Sequence, residues 1–188
     1  MAVSEKDLKE APQRPTPPSL TTAPLADVSI YSDGLCIDGV VGTGLAIFRR
    51  ADLNELWYGL HSSDSTSRLA ELKALHHALL TAKDEIQNDH SVAILSDSAY
   101  AVWIVTDQRT SSKLPRTTPK SHAAIIIPMR ELYVELEERL TIQYVKHNSL
   151  GNKLAKVAAS WAIDFQEEEL RRYSGPMEIE EIFSYSPE

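Results

Sequence analysis

Asp27-Val28-Ser29-Ile30-Tyr31-Ser32-Asp33-Gly34 alternates apolar and polar residues over one strand's length and closes on a carboxylate and a glycine. A period of two puts Val28, Ile30 and Ser32 on one face, with Ser29, Tyr31 and Asp33 on the other. Downstream, Val92-Ala93-Ile94-Leu95-Ser96-Asp97-Ser98 ends the same way, and its apolar run predicts a buried central or parallel strand. Between them, from Ser67 to about Ile86, Leu72, Leu75, Leu79 and Ala82 recur every three or four residues, a helical spacing. Glu71 adjoins that stripe, one turn ahead of Leu75. An acid there either complements the helix dipole or points inward to the strand ends. Asp33, Glu71 and Asp97 are therefore the candidate site.

A chain of 188 residues, 43% of them apolar, suits one domain with a core, plus tails. One cysteine, Cys36, excludes an internal disulfide framework and a multi-cysteine zinc site. With no membrane-length apolar run and no signal-peptide core, a soluble intracellular protein is expected, its compartment unspecified. The net charge of −8 is uneven. Residues 1–27 carry three basic and four acidic side chains, residues 28–164 fourteen and sixteen, and residues 165–188 two and seven. The middle is nearly balanced, so the acidity does not exclude a nucleic-acid partner.

Residues 1–26 hold five prolines and little apolar content, the composition of a flexible tail or linker. Residues 27–166 read as the folded domain and 167–188 as an acidic C-terminal tail. After the first strand, Gly34, Gly39, Gly42 and Gly44 suit a turn and close backbone approach. Glu55–Leu60 reads as a third strand in a meander. His76 and His77 are placed on the flank or surface of the first long helix. Ser98 caps a short helix to about Val105. Residues 106–121 form the one basic loop, with Arg109, Lys113, Arg116 and Lys120 against Asp107. It is either a solvated loop or an arm that contacts phosphates. A helix over 122–139 follows, its regular part expected from Pro128. A fifth strand over 141–146, a loop over 147–152 and a last helix over 153–170 complete the order. This predicts an α/β fold: a mixed five-stranded sheet, an antiparallel three-strand meander plus parallel strands, with helices on both faces.

These elements and motifs resemble ribonuclease H of the type 1 family, giving an RNase H-like fold. The matching segments are Tyr31-Ser32-Asp33-Gly34 with Gly42 and Gly44, Ala70–Leu75 around Glu71, Ser96–Tyr100 around Asp97, and Val145-Lys146-His147 with Gly151-Asn152. They span residues 28–162, leaving both tails uncovered. The resemblance implies metal-dependent endonucleolytic hydrolysis of the RNA strand of RNA–DNA hybrids, with Mg²⁺ (or Mn²⁺) as cofactor. Such chemistry needs an activated water and relief of charge on the leaving oxygen, and hard cations on carboxylates supply both. By resemblance Asp33 bridges the ions, Glu71 and Asp97 bind one or both, and His147 assists proton transfer or product departure. Arg109, Lys113, Arg116, Lys120 and Asn152 would meet the nucleic acid.

One departure stands out. The family pattern carries a fourth acid in a run like Gly-Asn-Glu-x-Ala-Asp, whereas here the run is Gly151-Asn152-Lys153-Leu154-Ala155-Lys156. Aligned without a gap, Lys156 replaces the aspartate; with a short deletion the aspartate is gone. Asp164 lies two turns further on, roughly 12 Å. Three outcomes stay open: an atypical three-carboxylate site, a lysine supplying fixed positive charge, or an inactive domain that binds nucleic acid or serves protein assembly. Another nuclease or transposase-like member of the superfamily fits less well, because the helix glutamate suits the ribonuclease H order. The family's aromatic and basic handle is reduced to Trp103 and the basic loop. The Pro-rich N-terminus would suit tethering in a larger assembly, such as a reverse-transcribing element.

Overall fold

The computed structural model of the chain describes residues 26–62, 66–107, 114, 118–166, 171–174 and 179–184. Arg109, Lys113 and Arg116 lie outside the described residues. The elements run β1 (Val28–Ile37), β2 (Val40–Arg49), β3 (Asp52–Ser62), α1 (Ser67–Gln87), β4 (Val92–Ser96), α2 (Ala99–Thr106), α3 (Lys120–Leu136), β5 (Leu140–Tyr144), α4 (Leu150–Phe165), β6 (Arg171–Tyr173) and α5 (Ile179–Ser184).

One sheet holds the strands of the described residues in the order β5-β4-β1-β2-β3-β6. β4 runs parallel to both β1 and β5, and the remaining pairs are antiparallel. The mixed α/β fold is as expected, but the sheet has six strands and not five. The added strand, β6, comes from the segment after α4 and pairs with β3 as Leu56↔Tyr173 and Trp57↔Arg172. Its Arg-Arg-Tyr sequence is short and fully exposed, so no alternation of burial marks it.

Two cores lie on opposite faces. On one face Val28, Ile30, Leu45, Ile47, Val92 and Ile94 meet α1, α2 and α3. On the other Ala46 and Leu56 meet Leu154, Ala155, Ala158 and Trp161 of α4, with Ile182 of α5 closing the cluster. The period of two in β1 is thus realised as read.

Several boundaries differ from the sequence expectation. β1 does not stop at Asp33 but continues to Ile37 and turns back at Asp38-Gly39, both with positive φ (50° and 81°). An Asp-Gly pair suits a two-residue hairpin loop, because both positions must be left-handed. β3 begins at Asp52, after a turn at Arg50-Ala51 that also has positive φ. α3 starts at Lys120 and carries Pro128 inside it. Proline leaves the carbonyl four residues earlier, that of Ala124, without its helical donor; Ala124 is exposed, so water can serve it. α4 starts at Leu150 because Ser149 caps it, its hydroxyl accepting from the Asn152 N–H, and it ends at a left-handed Gln166. His77 is partly buried on α1. Its Nδ1 lies 3.3 Å from the Thr43 hydroxyl, which His61 Nε2 approaches to 3.5 Å. Burial holds both imidazoles neutral down to about pH 4.

Candidate active site

The β1–β4 ladder ends at Ser32↔Ser96, so Asp33 and Asp97 follow on neighbouring parallel strands. β1 itself continues, held by β2 through Asp33↔Gly44. Asp33 is therefore anchored mid-strand, on a frame stiffer than a strand end. Glu71 arrives from α1, which rests directly on Gly34: a Cβ there would sit 2.2 Å from the Ala70 carbonyl carbon and 2.5 Å from the Glu71 nitrogen. Thr66 caps that helix through the Leu69 N–H, fixing where its first turns begin.

These three acids meet. One carboxylate oxygen from each of Asp33, Glu71 and Asp97 lies within 4.8 Å of the others, the sole such group of three among the described residues. Asp33 is 6% exposed, and Glu71 Oε2 is buried with no hydrogen-bond partner. Burial, then repulsion from Asp97, raises the Asp33 carboxyl to about 7, against the pull of Lys156 and the Gly34 N–H. Burial, then repulsion from Asp33 and Asp97, raises Glu71 to about 8. Three acids at such distances cannot all ionise cheaply without a cation. An all-oxygen set with an orphaned carboxylate oxygen suits a hard divalent ion better than a d-block metal that favours nitrogen or sulfur.

Asn152, read from sequence as a nucleic-acid contact, is 1% exposed. Its side-chain NH₂ donates to Asp97 Oδ2 at 3.1 Å and to Asp33 Oδ2 at 3.4 Å. Lys156 sits one helical turn further along α4 with its side chain exposed, and its charge favours the ionised forms of both Asp33 and Glu71. Lys153 is exposed as well. His147 is exposed in the turn before α4, closed by a bond from the Ser149 N–H to the Lys146 carbonyl. Lys120 is exposed at the start of α3.

A second polar group, built across α1, α2 and α3, was not read from sequence as a unit. The Arg68 guanidinium lies over the Tyr100 ring, 5.4 Å from its centroid. The Tyr100 hydroxyl lies 3.1 Å from His122 Nδ1. Arg68 is three residues before Glu71 and Tyr100 three after Asp97, so the sequence holds both, but only the packing of α1, α2 and α3 brings His122 to them.

The RNase H family model matches residues 26–164, most of the chain. The chain belongs to the RNase H family. No curated relative matches it. Among solved structures, the fold is similar to the protease-reverse transcriptase of prototype foamy virus (16% identity, TM-score 0.62), covering 78% of this chain and 22% of that one. It is also similar to RNase H1 of the halophilic archaeon Halobacterium salinarum NRC-1 (20% identity, TM-score 0.57; 73% and 98% covered). A third similar structure is LC11-RNase H1 in complex with an RNA/DNA hybrid (17% identity, TM-score 0.54; 72% and 99% covered). This chain thus spans about a fifth of the viral polypeptide and nearly the whole of the RNase H1 chains. Among the described residues no helix is long and apolar enough to cross a membrane.

Proposed function

We propose that this RNase H family member is an endonuclease that hydrolyses the RNA strand of RNA–DNA hybrids with Mg²⁺ or Mn²⁺. The observation that carries the reading is the convergence of Asp33, Glu71 and Asp97 from β1, α1 and β4, on oxygen atoms within 4.8 Å. Those three carboxylates would hold the cation. When bound, it supplies charge for the scissile phosphate and lowers the pKa of a coordinated water.

The chain's own residues do the rest. Asn152 holds Asp33 and Asp97 together by donating to both. His147, exposed on the loop before α4, passes a proton to or from the departing product. Arg68, exposed in the first turn of α1 with its guanidinium over Tyr100, would offer a counter-charge to a phosphate of the substrate. Lys120 extends the basic surface, together with Arg109, Lys113 and Arg116 as read from the sequence. A tethered place in a larger reverse-transcribing assembly agrees with the Pro-rich N-terminal segment.

The test is cleavage of an end-labelled RNA–DNA hybrid in Mg²⁺ or Mn²⁺ by the wild type beside Asp33→Asn. Cleavage by the wild type alone supports the enzyme. A hybrid that is bound but left whole in both metals leaves a binding module built on the same fold.

A further inference from the structure

We infer that the acid centre takes a single divalent cation, with the Lys156 ammonium standing as its second fixed positive charge. The inference rests on the metal-dependent reading above and deepens it. Three ionised carboxylates carry −3, and one lysine brings the cluster to −2, which one divalent ion neutralises. A second ion would leave a net +2 in a site where Asp33 is 6% exposed and Asn152 1% exposed.

The placement of Lys156 follows from α4. Residues i and i+4 of a helix share a face, with Cβ atoms about 5–6 Å apart. Asn152, at i, reaches both Asp33 and Asp97, so Lys156, at i+4, projects beside the same acids. Its charge acts on Asp33 and Glu71, which agrees with that placement. α4 also offers no carboxylate to hold a second ion: no acid stands in its first turn, and Asp164, the first acid along it, is bonded to Ser160 at 3.3 Å.

The oxygen inventory points the same way. Asn152 engages the Oδ2 atoms of Asp33 and Asp97, and the two carboxylates keep further lone pairs for a cation. Two buried side-chain oxygens at the centre, Glu71 Oε2 and Asn152 Oδ1, have no donor. A single cation with part of its water shell serves both: a direct ligand at Glu71, and a bound water donating to Asn152.

The experiment is Mn²⁺ titration of the full chain by isothermal calorimetry at pH 8, without nucleic acid. Wild type should bind one Mn²⁺ per chain, and Asp33→Asn should lose it. Lys156→Asp should bind two. Lys156→Gln, a mild change at an exposed position, should bind one ion roughly tenfold more tightly, because a nearby repelling charge is gone. Two ions in the wild type, no ion, or an affinity unmoved by Lys156→Gln would each overturn the inference. A chain that binds one Mn²⁺ and cuts no hybrid keeps this inference and removes the nuclease; one that binds two and cuts does the reverse.

Discussion

Asp33 and Glu71 pay for their place in the fold when no cation is near. Burial, then repulsion from Asp97 on Asp33 and from both aspartates on Glu71, lifts their carboxyls from 3.8 to about 7 and from 4.5 to about 8. A folded pKa above the unfolded one means the native state binds protons more tightly, so what these two acids contribute to metal-free stability is most favourable in acid. That contribution falls as the pH rises from about 4 to about 8. Asp33→Asn removes one of these charges and should stabilise the chain in EDTA at pH 8 by on the order of 1–3 kcal/mol, while abolishing cleavage. Thermal melts should show a Tm several degrees higher than wild type at pH 8 and the gap closing toward pH 5. Equal Tm values at pH 8 would mean that the acids are not strained. Mn²⁺ should raise the wild-type Tm and leave the mutant unmoved, since only the native site binds it. All three acids were legible from local pattern: an aspartate after each of two strand-like runs, and a glutamate beside a helical stripe. Asn152 was legible as a position but not as a buried amide between two carboxylates. That role depends on where α4 docks, and no local period encodes it.

At the scale of elements, α4 reaches the site because β2 lets it come close. A Cβ on Gly44 would lie 2.0 Å from the Ala155 carbonyl oxygen, and one on Gly42 2.1 Å from that of Ala159. Gly44→Ala should push α4 outward, at a cost of about 1–3 kcal/mol, and move Asn152 and Lys156 from the acids. Urea denaturation should show the lost stability, and Mn²⁺ affinity should fall in the chain that still folds. Retained affinity with lost stability would show that the site does not depend on this approach. The sequence suggested close approach at Gly42 and Gly44 without naming α4 as the neighbour. Other boundaries were hidden for identifiable reasons. The Arg50-Ala51 turn uses positive φ without glycine or asparagine, and α3 continues through a proline whose orphaned carbonyl faces water. β6 and α5 were also hidden, because three exposed residues and a six-residue helix carry almost no period. Yet Ile182 of α5 is 5% exposed against the α4 cluster. Ile182→Ala should cost about 2 kcal/mol, near the lower end for such a change, since a terminal helix can detach locally. A change in Tm of less than a degree would mean that α5 adds nothing to the second core.

Across the whole molecule, one ionic network ties α1 to the β2–β3 hairpin and to the added edge of the sheet. Arg49, at the end of β2, donates to Glu55 of β3 at 2.8 Å and to Glu85 of α1. Glu55 also accepts from Arg172 of β6 at 2.7 Å and from the Trp57 indole at 2.7 Å, and Glu85 from His90 at 2.9 Å. The Glu55 and Glu85 side chains are only 5% and 11% exposed, so removing their shared cation strands charge in a poorly solvated place. Burial pushes the Glu55 carboxyl up, but the bonds from Trp57 and Arg49 and the nearby arginine charges outweigh it and hold it below 4.5. A depressed carboxyl stabilises the fold above its unfolded pKa and loses that contribution as the pH falls through the folded value. Arg49→Met should therefore cost about 2–4 kcal/mol at pH 7, somewhat less than a fully severed buried pair because Arg172, Trp57 and His90 remain. The cost should shrink as the pH is lowered toward 3. Urea midpoints at the two pH values decide it. A loss under about 1 kcal/mol at pH 7 would put the network with ordinary surface pairs. In that case apolar packing alone holds α1 against the sheet in the arrangement that carries Glu71 to the aspartates.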